Sequence, residues 1–546
     1  MRRMVTLLVA ASLAFGCEQV REPPLIPFAD DDAEVDGPAS AEPVALGRIT
    51  GRGSDGRALG PHLRTTLTSQ PCLPFADGPL WVEEGEPLEV VVRCRTGRTL
   101  EAGAMQMQDL PDGAVFDSER ATLRWTPRLD QAAVYTLDVE VPELGERTTL
   151  RVGVADAFDA RHNVPVADFA RYTEEFGLPV AHLRSGTLDS EEYRPATLVY
   201  RGKTIEVEAK LRGRTSLRYP KRSFTLKFPP NDRFHDAELG FARRKKVVLI
   251  TNFNDNSSLR HRLGFDVWNA MDPAHLPIRT ASVVLYWNGA YHGIYTLGDH
   301  VGKALLPLLG LGKDNDLFKA RKGDGQFNPP IDGGALHPGY EKKSGSPAHG
   351  QQGAYAELGA LFEVVTGASD SRFASEFPAL ARLEDFFDWW IFATYVVGGD
   401  LVKKNHYLFH APWEPFRYVP WDLDGTFGQS FRTTRESPTS SSDFADRNAL
   451  FERLLSHSGL KKQLARRYAE LLQGPLHEAR VTRRLDELAS EIAPAARRDE
   501  RRWGALYRSS PEWPDRTSFN SFDDEIRYVR SWITKRFEHQ SRLFAP

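Results

Sequence analysis

An acid–amide pair, an acidic pair and one basic run are the residues of this sequence best suited to chemistry. Asp400 and Asn405 stand five apart in Gly399-Asp400-Leu401-Val402-Lys403-Lys404-Asn405. That interval suits a loop in which a carboxylate accepts the proton of an attacking hydroxyl and an amide oxygen faces a metal ion during phosphoryl transfer. Asp422 and Asp424 lie on either side of Leu423 at a predicted strand end, where alternation would point both carboxylates the same way. Close carboxylates repel unless a proton or cation separates them. A hard divalent cation, Mg²⁺ or Mn²⁺, would resolve the conflict, with Asn405, Asp422 and Asp424 as candidate ligands. The competing reading is a solvated loop acid at Asp400 and a surface turn capped by Asp422 or Asp424. Arg212, Arg214, Arg218, Lys221 and Arg222, with Gly213 and Ser216 among them, could meet phosphates through side chains and a close backbone approach, or form a solvated strand face. This run is neither a Walker loop nor a conventional kinase glycine-rich loop.

The elements that must position these residues are legible from periodicity. Leu383 to Val397 has the apolar spacing of a buried helix leading into Asp400, and most of Arg447 to Phe544 reads as helix. Ala196–Tyr200 and Ile205–Leu211 read as strands, the second with clean alternation. Ala281–Tyr286 and Gly293–Leu297 flank Trp287-Asn288-Gly289, a hairpin signal. Strands first and helices later give an α+β fold, compatible with a smaller β-rich lobe over a helical one. Upstream, residues 71–157 alternate in short runs between turns such as Pro111-Asp112-Gly113, as strands of a small β-sandwich do, with Trp125 and Tyr135 as core aromatics. Such a segment is expected to hold its own core and fold alone. Cys72 and Cys94 fall within it and could form one disulfide; sequence cannot test the separation that a disulfide requires.

At 546 residues two or three folded units are expected, and the net charge of -4 gives no field for nucleic acid. Met1-Arg2-Arg3-Met4, an apolar run from Val5 to Phe15, and Gly16-Cys17 match an export signal. Ala14-Phe15-Gly16-Cys17 looks like a bacterial lipobox, in which Cys17 takes the lipid. Residues 1–17 are thus expected to be a signal peptide and 18–70, which opens on a stretch rich in Pro, Ala, Asp and Glu, a tether and linker to a membrane of the cell envelope.

Four blocks carry a family resemblance: Arg212–Phe228, Asn254–Arg260, Asn288–Tyr295 and Tyr418–Gly428. Their joint order is similar to that of the CotH (spore-coat protein H-like) family of atypical secreted kinases, over about residues 200 to 540. Residues 71–157 resemble bacterial immunoglobulin-like modules. The CotH resemblance implies an atypical two-lobed kinase-like domain over 158–546 and ATP- and Mg²⁺- or Mn²⁺-dependent transfer to Ser or Thr of an exported or surface protein. It also implies Lys319 as the nucleotide-binding lysine and Glu341 as the acid that holds it, with Arg212, Arg214 and Lys221 as further candidate nucleotide contacts and Asp400 as proton acceptor. Asp299 departs from the family's usual Glu. The alternatives are another metal-dependent phosphoryl or glycosyl transferase, or a non-catalytic surface scaffold or adhesin. Cys17→Ser is expected to move the protein from the membrane to the soluble fraction without unfolding it; continued sedimentation with membranes would contradict the lipid anchor.

Overall fold

The structure, a computed structural model, describes residues 71–77, 80–158, 168–321, 325–327, 334–513, 516 and 519–544. Cys17 and the 18–70 tether lie outside them. Among the described residues no helix is long and apolar enough to cross a membrane.

Residues 71–157 form two small sheets and a two-stranded ribbon that pairs Pro74–Phe75 with Arg93–Cys94. Leu80–Glu83, Glu146–Ala155, Ala133–Val141 and Gln106–Gln108 make one, and Leu88–Val91, Thr122–Trp125 and Val115–Asp117 the other. Period-two alternation turns Val82, Val90, Leu123, Trp125, Leu137, Val152 and Val154 of both sheets into one cluster. Trp125 is buried and meets half-buried Tyr135 edge-on at 5.0 Å. Cys72 and Cys94 form a disulfide. Contacts with the downstream part gather at the end of this segment. The Asp156 carbonyl accepts from Arg498, and Phe158 stacks on Tyr291 at 4.6 Å. Arg498, fully buried, also lies 3.4 Å from Glu175 and 3.3 Å from the Tyr286 hydroxyl.

Downstream, the strands β1 (Leu178–Ser185), β2 (Arg194–Tyr200), β3 (Lys203–Arg212), β4 (Ser223–Lys227), β5 (Lys246–Thr251), β6 (Thr280–Trp287) and β7 (Ala290–Asp299) follow the sheet order β1-β2-β3-β4-β5-β7-β6. A parallel pairing of β1 with β6, Val180 opposite Val284, closes this sheet on itself. Closure removes free edges and seals Leu183, Leu198, Ala209, Leu211, Phe224, Leu226, Leu249 and Leu285 inside. The β6–β7 connection is the expected two-residue turn, with Asn288 at φ 52° and Gly289 at φ 82°. Because Ala209 and Leu211 point inward, Lys210 and Arg212 point outward.

A second sheet comprises β8 (Asp316–Ala320), β9 (Tyr340–Ser344), β10 (His406–Ala411) and β11 (Glu414–Pro420), ordered β9-β8-β10-β11. It shares one large core with helices α1 (Arg260–Met271), α2 (Ala356–Gly367), α3 (Asp370–Leu380), α4 (Leu383–Val396), α5 (Ala449–Ser456), α6 (Ser458–Gln473), α7 (Glu478–Arg508) and α8 (Phe522–Leu543). The fold is α+β.

Burial pushes the Asp156 carboxyl up to about 7, against the pull of Arg498. A folded-state value above the unfolded one favours the fold below pH 4, and that contribution is lost as pH rises towards 7. Relative to Asp156→Asn, the wild type should therefore lose on the order of a few kcal/mol between pH 4 and 7. Denaturant unfolding of both across that range checks this; parallel pH profiles would contradict it.

Candidate active site

The hairpin β10–β11 carries the site at its open end. His406 pairs with Pro420, so Asn405 enters and Trp421 leaves side by side, and the Trp421 amide donates to the Asn405 carbonyl at 2.7 Å. Asn405 and Asp422 both adopt left-handed backbone, at φ 60° and 59°. Asn and Asp tolerate this conformation better than other side chains. The strand stops at Pro420, so Asp422 and Asp424 stand on a turn and not on the alternating strand end the sequence suggests.

The loop from Asp400 to Asn405 is fixed carbonyl by carbonyl. Asp400 accepts from the Lys404 amide at 3.2 Å, Lys403 from the Gly325 amide at 2.8 Å and Asn405 from Trp421. Leu401 accepts from Trp389 Nε1 at 3.0 Å and Val402 from Asn448 Nδ2 at 2.7 Å. The Lys404 carbonyl accepts from His406 Nδ1 at 3.1 Å, while His406 Nε2 accepts from the Tyr340 hydroxyl at 2.8 Å. Burial holds that imidazole neutral, at about 3. Such complete pairing of backbone acceptors fixes the geometry of a loop that has no helix or strand of its own.

The Asp422–Phe427 turn rests in a cradle made by the first turns of α1. The Leu423 amide donates to His261 Nδ1 at 3.2 Å, and the buried Leu423 side chain fills the notch at Gly264, where a Cβ would lie 2.8 Å from Cδ1 and 2.9 Å from Cβ of Leu423. Arg260 Nε donates to the Thr426 carbonyl at 3.0 Å. The same guanidinium bonds Asp255 Oδ1 at 2.5 Å and Glu525 Oε1 at 2.6 Å, all three side chains fully or almost fully buried. Asn254, next to Asp255, donates through Nδ2 to Asp424 Oδ2 at 2.6 Å. The 254–260 block visible in the sequence is therefore the support of the acidic pair Asp422 and Asp424. Its residues carried no assigned role there, because a buried arginine looks like any other arginine until its acceptors are known.

Electrostatics draws the separate segments into one site. Burial, then repulsion from Asp422 and more weakly from Asp400 and Asp255, pushes Asp424 well above the carboxylate range, with Asn254 pulling the other way. Burial also raises Asp400, opposed by Lys404, whose Nζ lies 2.8 Å from Asp400 Oδ2, with Asp422 adding to the rise. Burial lowers Arg212 and Lys319, with Asp422 attracting both; Arg212 also repels Lys319 and lies 5.5 Å from the Trp421 ring centre. Lys319 sits opposite Glu341 across β8–β9. Glu341, though, is held by Lys343 and lies 3.6 Å from Arg321, and attracts Lys319 only through space.

Asp400, Asn405, Asp422, Asp424, Arg212 and Lys319 are thus brought together. Other members of the basic run are not. Lys221 is a correction: its ammonium is buried, bonding Asp499 Oδ1 at 2.6 Å and the Ile294 carbonyl at 2.8 Å, and is committed to fastening β7 to α7. Arg214 is exposed, and Arg218 pairs with Glu512 at 2.6 Å. Gly213 is required where it stands, at φ 122° with Ser216 Oγ 1.9 Å from where a Cβ would be. Asp299 bonds buried Arg244 at 2.6 Å and the Arg279 amide at 3.0 Å, which gives it a structural task.

Mutual repulsion among oxygen donors suits a hard divalent cation. Asp400, Asp422 and Asp424 are set wider than a group whose ligand atoms all lie within 4.8 Å. Among the described residues Asp272, His275 and Asp388 do meet the closer spacing. Their acids are already neutralised: Arg382 bonds Asp272 at 2.7 Å, and Arg467 bonds Asp388 at 2.8 and 3.0 Å. This group ties α1, α4 and α6 together, with His275 Nε2 3.2 Å from Asp388.

Gly264→Ala puts a methyl into Leu423, an overpacking worth about 1–3 kcal/mol. If the turn gives way, Mn²⁺–ATP affinity measured by calorimetry should fall by on the order of tenfold, with the protein still folded. Unchanged affinity would show that the cradle does not set the acids.

The sequence model of the family described as CotH kinase protein matches residues 209–539. A search of curated proteins finds no match. Among solved structures, an endo-fucoidan hydrolase of glycoside hydrolase family 107 is similar at 15% identity with a TM-score of 0.13, over 28% of this chain and 26% of that one. The chain therefore spans about a quarter of that protein, a likeness too slight to bear on fold or chemistry. The family match runs from the end of β3 into α8, with every residue of the assembled site, and the chain belongs to the CotH kinase protein family.

Proposed function

We propose that this chain is an atypical protein kinase that transfers the γ-phosphoryl group of ATP to Ser or Thr hydroxyls of exported or surface proteins, from a lipid anchor on a bacterial envelope membrane. The observation that carries the reading is the convergence of Asp400, Asn405, Asp422, Asp424, Arg212 and Lys319 from the barrel, the second sheet and two loops. The closed barrel would serve as one lobe and the second sheet with its helices as the other, with residues 71–157 as an immunoglobulin-like module on the first.

In this reading Lys319 and Arg212 attract the nucleotide's phosphates, and Asp422, Asp424 and Asn405 hold Mg²⁺ or Mn²⁺. A cation held there would supply charge neutralisation for those phosphates. Asp400 accepts the proton of the acceptor hydroxyl. Its fixed loop supplies orientation, which in phosphoryl transfer matters more than covalent chemistry by the protein.

Incubation of the mature protein with labelled ATP, Mn²⁺ and generic protein acceptors tests this directly. Asp400→Asn should lower kcat by about 10²–10⁴-fold with nucleotide affinity little changed. Asp422→Asn or Asp424→Asn should instead weaken Mn²⁺–ATP binding by at least about tenfold, because a ligand lost from the ground-state complex acts on binding. Normal binding and turnover in both, with binding abolished in a folded Asp400→Asn, would reverse the assignment.

A further inference from the structure

We propose that Lys404 is a further catalytic residue: its ammonium meets the phosphoryl group in flight while holding Asp400 for the incoming hydroxyl. This rests on the kinase reading above. Lys404 Nζ lies 2.8 Å from Asp400 Oδ2, with the two side chains 33% and 14% exposed. With Lys404 a third exposed, the ion pair is partly screened and adds on the order of 1 kcal/mol to stability. The loop does not need it, because the carbonyls from Asp400 to Asn405 each have a donor of their own. The pair is therefore not needed to hold the backbone.

Its surroundings point to the catalytic task. The ammonium lies 5.2 Å from the ring centre of Phe431, which is 52% exposed. The chain folds back sharply to put Phe431 there: a Cβ at Gly425 would stand 3.0 Å from the Phe431 amide nitrogen. A ring on one side and a carboxylate on the other confine a side chain that would otherwise be among the most mobile. Lys319 and Arg212 approach the acids from the strands, whereas Lys404 approaches from the loop of the proton acceptor. On this proposal the transferring group would pass from Lys319 and Arg212 towards Lys404.

In the step itself the acceptor oxygen forms a bond to the γ-phosphorus. The bond from that phosphorus to the bridging oxygen breaks, and ADP leaves with the electron pair. The hydroxyl proton goes to Asp400 Oδ1, since Oδ2 is taken by Lys404. Lys404 neither gains nor loses a proton; it offsets charge on the equatorial oxygens, where a fixed cation acts most strongly in the transition state.

The test compares wild type, Lys404→Met and Lys404→Arg as full chains, with labelled ATP, Mn²⁺ and casein as acceptor, beside calorimetric Mn²⁺–ATP affinity and thermal unfolding. Lys404→Met should lower kcat by about 10²–10³-fold with KM for ATP and calorimetric affinity within about threefold and the melting temperature unchanged. Lys404→Arg, which keeps the charge and can keep both contacts, should recover at least about tenfold of the loss. Wild-type turnover in Lys404→Met, a loss of ATP affinity equal to the loss of kcat, or no recovery in Lys404→Arg would overturn the assignment. A wild type that binds Mn²⁺–ATP but transfers nothing would instead remove the kinase reading, and this proposal with it.

Discussion

The buried guanidinium of Arg260 is the interaction on which the rest of the site depends. It bonds Asp255, Glu525 and the carbonyl of Thr426, joining the 254–260 block, the acidic turn and α8 at one point. Glu525 is also held by both terminal nitrogens of Arg435 at 2.6 Å, and these arginines bring its carboxyl down to about 2 despite burial. Removing one member of such a cluster leaves the others charged and unpaired in the interior, at a cost of about 3–5 kcal/mol. The network is therefore rigid, and Asn254, adjacent to Asp255, delivers its hydrogen bond to Asp424 from a fixed base.

Rigidity here opposes a standing repulsion. Asp422 raises the proton affinity of Asp400 and Asp424, and the three acids are kept near each other by left-handed backbone at Asn405 and Asp422 and by Leu423 seated at Gly264. Val397, a β-branched residue at φ 53°, ends α4 and starts the turn towards Asp400. Backbone held in sparsely populated conformations costs about 1–3 kcal/mol per residue and persists only where the surroundings enforce it. The deep core under α4, with Trp389 supplying both packing and the hydrogen bond to Leu401, does the enforcing.

Periodicity made the strands, the β6–β7 turn and the buried helix before Asp400 readable, since each has a local signature in apolar spacing or turn chemistry. Closure of the first sheet was not readable, because the parallel pairing of Val180 with Val284 joins segments a hundred residues apart with no local mark. For the site, residue type and interval pointed to Asp400, Asn405, Asp422 and Asp424, while the geometry of the last two came from a turn and not from strand alternation. The basic run shows the limit of composition. Arg212 faces the acids, whereas Lys221, nine residues on, spends its charge on Asp499 inside the fold. The acid that each one meets separates the two, and that is a property of the packed structure. The roles of Gly264 and His261 were hidden for the same reason.

The central claim is that these acids hold a divalent cation in contact with nucleotide phosphates. Electron paramagnetic resonance of Mn²⁺ bound to the protein with ATP measures this without requiring a known acceptor. The account predicts phosphorus hyperfine coupling to protein-bound Mn²⁺ that is lost in Asp422→Asn and Asp424→Asn and retained in Asp400→Asn. Protein-bound Mn²⁺ with no phosphorus coupling, or coupling unchanged in all three variants, would contradict it.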